Sequence, residues 1–155
     1  RLGFSARGMS VGLCSRSHRL SRSGYPKECF KQGKGGVMFR IAKQYHFSAS
    51  HELKNLPSDH PCFRLHGHNY VVEVELQSET LNQTGFVRDY RELDALRDYI
   101  DETVDHRHLN DVFGDDFTTA EYLAKHFYDW CKARWPEVSA GRVNETPRSW
   151  AEYRA

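Results

Sequence analysis

No apolar run in the 155-residue sequence approaches the roughly 18 residues that a membrane span needs, and no stretch fits a signal-peptide core. A soluble, cytoplasmic protein with no membrane partner is expected. The four cysteines, Cys14, Cys29, Cys62 and Cys131, lack any short paired spacing, so no disulfide scaffold is expected, which fits a reducing compartment. A phosphate-binding P-loop, a GxGxxG dinucleotide fingerprint and a serine nucleophile elbow are also missing, and after Met38 there is neither an internal repeat nor a basic patch. Nucleic acid is therefore not an expected partner of the domain.

Acidic residues are scarce only at the start. Residues 1–37 carry eight Lys or Arg against Glu28 alone, a net charge of +7, whereas residues 38–155 carry 14 basic and 20 acidic residues, a net of −6. The first segment is rich in Ser, Gly and Arg and has neither helical nor strand periodicity, which is the composition of a disordered chain. An organelle transit peptide, a nucleic-acid-binding arm and a non-native extension all fit it. The third reading is adopted, with residues 38–155 as one domain, a length sufficient for a real core.

What the domain does contain is histidine in phase. Along a strand, side chains alternate between faces. From Phe39 the odd positions run Phe39, Ile41, Lys43, Tyr45, Phe47, Ala49 and His51; from His66 the even positions run His66, His68, Tyr70, Val72, Val74 and Leu76. Asn55, Pro57, Ser58, Asp59 and Pro61 between them are loop-forming types. Two antiparallel strands are predicted, with all three histidines inward at one end. A single inward histidine is more often a hydrogen-bonded rim residue than a ligand, but two at i and i+2, in phase with a third, point to metal. Three imidazoles with an open fourth position are the donor set of catalytic zinc.

Cys62 lies in the loop beside them. It reads as a nucleophile or proton-transfer thiol activated by a nearby cation, as a fourth ligand of a structural site, or as a small buried hydrophobe. Asp105-His106 sits at the end of a predicted helix, where a histidine is commonly a charge set against the helix dipole; near a zinc site the pair also reads as a carboxylate orienting a proton-relaying imidazole. Glu145, in phase with Val143, points inward, where an unpaired carboxylate is costly, so a polar ligand or basic partner is expected there. His46, His60, His108 and His126 are read as structural or exposed.

A third strand is predicted over Gly85–Arg88 after the Asn82-Gln83-Thr84-Gly85 turn. A helix follows, capped by Asp89 with Glu92 and carrying the stripe Leu93, Leu96, Ile100 and Val104; a second capping box, Thr118 to Glu121, opens a helix that ends before Pro136. A final short strand contains Val143 and Glu145. The order β-β-β-α-α-β predicts an α+β domain, a four-stranded antiparallel sheet with two helices on one face. The apolar run Val71, Val72, Val74, Leu76 suggests more burial than one layer supplies, which predicts association of subunits.

Cys62-Phe63-Arg64-Leu65-His66-Gly67-His68-Asn69-Tyr70, with His51 upstream, Asp105-His106-Arg107-His108-Leu109-Asn110 and Glu145-Thr146, resembles the 6-pyruvoyl-tetrahydropterin synthase superfamily from about Met38 onward. The three residues between Cys62 and His66, and the ending Glu145-Thr146-Pro147-Arg148-Ser149-Trp150-Ala151-Glu152-Tyr153-Arg154, are similar to the bacterial 6-carboxy-5,6,7,8-tetrahydropterin synthases of 7-deazaguanine (queuosine) biosynthesis; the pyruvoyl-forming branch usually has five residues in that gap. The resemblance implies the tunnelling fold, in which sheets of several subunits close a barrel and active sites lie at interfaces, and hence a homohexamer or other trimer-based oligomer. It implies Zn2+ on His51, His66 and His68, proton transfer by Cys62 with Asp105 and His106 as relay, and a pterin held by Glu145 and contacted by Thr119. The implied substrate is 7,8-dihydroneopterin triphosphate. The alternatives are 6-pyruvoyl-tetrahydropterin synthesis and a non-catalytic zinc- or pterin-binding module.

Overall fold

The computed structural model describes residues 38–155; the expectations for residues 1–37 lie outside the described residues. The alternating pattern forms the two strands predicted. β1 (Phe39–His51) and β2 (His66–Ser78) pair antiparallel along their full length, from Phe39 opposite Ser78 to His51 opposite His66. Tyr45, Phe47, Ala49, Tyr70, Val72, Val74 and Leu76 are buried on the inward face. β3 (Val138–Thr146) and β4 (Ser149–Arg154) complete a sheet of order β1-β2-β3-β4.

Three helices cross between β2 and β3: α1 (Asp94–Thr103), the short α2 (Leu109–Phe113) and α3 (Ala120–Lys132). α3 buries Leu123, Ala124, Phe127, Tyr128 and Cys131 and lies on β2, β3 and β4. α1 buries Leu96 and Ile100 in the same core and lies beside β1. Val72, Val74 and Leu76 are thereby covered within one chain, whereas Val71 lies on the opposite face and is half-buried.

The predicted strand over Gly85–Arg88 does not form. The Asn82 side chain accepts hydrogen bonds from the amides of Thr84 and Phe86, the Asn82 amide donates to the Phe86 carbonyl, and Gly85 takes a left-handed φ of 86°. The backbone groups a strand would offer are used within a local loop. The fourth strand is instead β4, joined to β3 by a tight turn at Pro147-Arg148, and the observed order is β-β-α-α-α-β-β. α1 begins at Asp94 rather than after Asp89, because Glu92 pairs with Arg88 and residues 89–93 form i→i+3 turns. The cap of α3 is Thr119, whose hydroxyl accepts from the Tyr122 amide, one residue later than predicted. Thr118 is fully buried and committed elsewhere.

The opposite face of the sheet is a lattice of ion pairs. Arg142 bonds Glu73 at 2.9 Å and Glu152 at 2.7 Å, and Arg154 bonds Glu75 at 2.6 Å. Glu75 is only 5% exposed. Burial raises its pKa, but hydrogen bonds from Arg154, Ser139 and Gln77 outweigh that and hold it at about 2. Because the folded pKa is depressed, the stabilisation is present above the carboxyl's unfolded value and is lost as pH falls toward 2.

α3 approaches β3 closely at one point. A Cβ on Gly141 would lie 2.7 Å from the Ala124 carbonyl oxygen and 3.0 Å from the Tyr128 Cβ. Gly141→Ala should therefore destabilise the domain by about 2 kcal/mol through overpacking, lowering the melting temperature by several degrees in calorimetry. An unchanged melting temperature would contradict the close approach.

Candidate metal centre

The β1–β2 register places His51 directly opposite His66, with His68 two residues farther along the same face. The ring centroids lie 4.5 Å (His51–His66), 5.2 Å (His51–His68) and 5.0 Å (His66–His68) apart. One ring nitrogen from each falls within 4.8 Å of the others. Between His66 and His68, Gly67 lets the strands close: a Cβ there would sit 3.0 Å from the Ala49 carbonyl oxygen.

Two neighbours set the orientation of these rings. The carbonyl of Thr118, just before α3, lies 2.8 Å from His51 Nδ1, and the Arg64 carbonyl lies 2.7 Å from His66 Nδ1. A carbonyl can only accept, so each Nδ1 carries the proton and each Nε2 presents a lone pair. Those two Nε2 atoms face each other at 3.0 Å. Opposed lone pairs at that separation are unfavourable without a cation or proton between them. Tetrahedral zinc, with bonds of about 2.0–2.1 Å, separates ligand nitrogens by about 3.3 Å, so the donor set fits such an ion with small rotations. Burial, followed by the charges of neighbouring imidazoles, overrides the Thr118 bond and lowers His51 to about 4. His68 is lowered by burial and by His66. Both imidazoles are neutral near pH 7, the form that ligates.

Cys62 sits in a single 3-10 turn (Pro61–Phe63) whose start is capped by the His60 ring, which accepts from the Cys62 amide at 3.1 Å. Its thiol is half-buried and free, and it is not part of the three-histidine group. Among the described residues no hydrogen bond joins it to Asp105 or His106.

Asp105 and His106 are brought together on the free edge of β1. Asp105 accepts the Ser48 amide on one oxygen (2.9 Å) and bonds His106 Nδ1 on the other (2.7 Å), while the His106 amide donates to the Ser48 carbonyl at 2.7 Å. The Ser48 amide is the main reason that Asp105 lies below the usual carboxylate range; burial opposes it and His106 assists. His106 adopts a left-handed φ of 55°, a strained conformation for a non-glycine residue. The next residues follow the edge, with the Ser50 amide donating to the Arg107 carbonyl and the Ser50 hydroxyl on His108 Nδ1. His68, Asn69, His106, Arg107 and His108 line one open cleft of about 520 Å³.

Glu145 is half-buried, and no side chain among the described residues bonds its carboxylate. Burial raises its pKa, the charge of Glu121 raises it further, and His66 opposes both. The basic partner expected from the sequence is not there. Thr119 lies near the same end but uses its hydroxyl to cap α3. Three contributors escaped sequence reasoning: the Thr118 carbonyl, read only as part of a capping box; Glu121 in the first turn of α3; and Asn110. The Asn110 side chain bonds both backbone groups of Glu52, the Asp115 carbonyl and the Thr118 hydroxyl, fastening the segment before α3 to the end of β1. Asn110 belongs to the Asp105–Asn110 run, which was the one available signal.

This geometry agrees with sequence comparison. The sequence model described as 6-pyruvoyl tetrahydropterin synthase matches residues 40–155, and the chain belongs to that family. It is 33% identical to the 6-carboxy-5,6,7,8-tetrahydropterin synthase of Aquifex aeolicus over 76% of this chain and 99% of that protein. It is also 33% identical to the Synechocystis enzyme of the same name, over 75% and 93%. The 6-pyruvoyl tetrahydrobiopterin synthase of Drosophila melanogaster is 30% identical over 74% and 78%. Among solved structures, Caenorhabditis elegans 6-pyruvoyl tetrahydropterin synthase superposes with a TM-score of 0.68 at 26% identity, covering 77% of this chain and 97% of that one.

Replacing any one of His51, His66 or His68 by Ala should weaken divalent-metal binding by well over about tenfold, since even outer partners of a metal site contribute on that scale. Elemental analysis after dialysis against buffered zinc checks this. Full metal retention in all three variants would contradict the site.

Proposed function

We propose that this chain is a zinc-dependent 6-carboxy-5,6,7,8-tetrahydropterin synthase acting in 7-deazaguanine (queuosine) biosynthesis in the cytoplasm, with residues 38–155 as the catalytic unit. The observation that carries the reading is a three-imidazole group with a free thiol in the adjacent loop, off that group, in a chain whose similar relatives bear that enzyme name. The reaction converts 7,8-dihydroneopterin triphosphate and one water to 6-carboxytetrahydropterin, acetaldehyde and triphosphate. Among the described residues no helix is long and apolar enough to cross a membrane.

His51, His66 and His68 would hold zinc, which as a Lewis acid supplies acidification of the substrate's side-chain hydroxyls. Glu145 would accept the N–H groups of the pterin ring, which supplies the polar partner that its carboxylate lacks; Thr119 would contact the ring from the start of α3. Cys62 would take and return the side-chain proton. Asp105 would hold His106 with its outer nitrogen free to exchange that proton. Within one chain the Asp105-His106 pair is docked on β1 and makes no bond to Cys62, so the relay would be completed between copies, as in a trimer-based homo-oligomer.

The 6-pyruvoyl reading is kept alive by the Drosophila relative. The three-residue gap between Cys62 and His66 favours the carboxy branch by setting where the thiol stands relative to the metal. Incubation of zinc-loaded protein with dihydroneopterin triphosphate, trapping acetaldehyde with a hydrazine and following pterin mass, tests the choice. Acetaldehyde with 6-carboxytetrahydropterin is expected. Retention of all three side-chain carbons would overturn the branch assignment, and absence of turnover would favour a binding module. Cys62→Ala should keep its metal and lose turnover by about a hundredfold or more; loss of metal would mark Cys62 as a ligand.

A further inference from the structure

Two tyrosines point inward from the paired strands, and their hydroxyls fare differently. Tyr45 donates to the Leu93 carbonyl at 2.7 Å. Tyr70 is 0% exposed, yet its hydroxyl has no hydrogen-bond partner. A buried hydroxyl left unpaired is costly, and native structures seldom leave one without a reason.

The position of Tyr70 supplies the reason. Its ring stacks on Phe47 at 4.8 Å and stands edge-on to His68 at 5.4 Å and to His51 at 6.1 Å. On the other side, β2 pairs with β3 through Val72 opposite Val143 and Val71 opposite Asn144. One further step in that register brings Tyr70 opposite Glu145, just past the end of the ladder, where directly opposed side chains on one face have Cβ atoms roughly 5 Å apart. Tyr70 thus lies between the histidine group and Glu145. One side chain holds a donor without an acceptor; its cross-strand neighbour holds an acceptor without a donor. Glu145 is also close enough for its charge to act on the Tyr70 hydroxyl.

We infer that Tyr70 is a positioning residue: in the ligand-bound site its hydroxyl donates to one carboxylate oxygen of Glu145 and aims the other at the bound heterocycle. The inference rests on the reading of Glu145 as the pterin anchor. A bond from a neutral hydroxyl to a carboxylate is charge-assisted and orients the acceptor. It ties the anchor to the same rigid strand that carries His66 and His68, so the ring and the metal are held in one frame. The charge of Glu121 disfavours the ionised form of Glu145, a cost that a donated hydrogen bond offsets.

The test is a double-mutant cycle on the zinc-loaded full chain, titrated with 7,8-dihydroneopterin. Tyr70→Phe removes only the hydroxyl and orphans no other group, so zinc content should be unchanged and the melting temperature equal or higher, while affinity falls about tenfold. In a Glu145→Gln background, itself weakened, Tyr70→Phe should cost less than about twofold, because the bond it removes acts through the carboxylate. A Tyr70→Phe protein binding as tightly as the unmodified one would overturn the inference while leaving the anchor intact. An equal loss in both backgrounds, or a loss accompanied by a fall of several degrees in melting temperature, would also overturn it, assigning Tyr70 to direct ligand contact or to packing. Unchanged affinity in Glu145→Gln alone would remove the anchor and the inference together.

Discussion

The register of β1 on β2 is the constraint on which the site depends. Thirteen consecutive pairs run from Phe39–Ser78 to His51–His66. Because side chains alternate with period two, a slip of one residue would send the moved strand's whole inward set to the other face. For β2 that would carry His66 and His68, together with Tyr70, Val72, Val74 and Leu76, onto the side occupied by the Arg142–Glu73 and Arg154–Glu75 pairs. Placing four apolar side chains among those charges and burying Glu73 and Glu75 in the core is costly on both counts. The hydrophobic core and the ion-pair lattice thus specify the same register from opposite faces, and the histidine group is the consequence at the strand ends.

The helices then convert a pair of strand ends into a site. Asn110 fastens the segment before α3 to Glu52, and this presents the Thr118 carbonyl to His51. The same turn starts α3 at Thr119 and places Glu121 toward Glu145. Ring orientation at the metal group and charge at the half-buried carboxylate therefore both follow from one chain reversal. On the far edge, the segment after α1 clips to β1 through Ser48 and Ser50, and the strained backbone of His106 is held by its amide on the Ser48 carbonyl and its ring on Asp105 rather than by its own preference. A strained residue maintained in this way is a common sign of a working position.

Strand phase was legible because β1 and β2 alternate cleanly over many residues, and it carried the three histidines and Tyr70 with it; the direction of Glu145 was read from its phase with Val143 on β3. Local pairs such as Asp105-His106 were legible too. What lay beyond reach was the partner each local feature meets. The Asn82 side chain turned an expected strand at Gly85–Arg88 into a closed loop. Thr118 and Thr119 are equally good caps by residue type, and only the tertiary demand of His51 decides between them. Glu145 was expected to meet a polar ligand or a basic partner; no basic side chain among the described residues bonds it, and the charge that acts on it most is that of Glu121, 24 residues earlier in the chain. The hairpin strand β4 was seen as part of a family-like ending rather than as structure, although Trp150, Glu152 and Arg154 alternate with Ala151 and Tyr153 across its two faces.

The central claim is an open metal site made of three imidazoles, with the thiol in the adjacent loop kept off the ion. X-ray absorption at the zinc edge of the loaded protein reads the donor set directly. Three nitrogen donors and one oxygen at about 2.0–2.1 Å, with no sulfur shell, is the predicted result. A sulfur at about 2.3 Å would place Cys62 on the metal and contradict it.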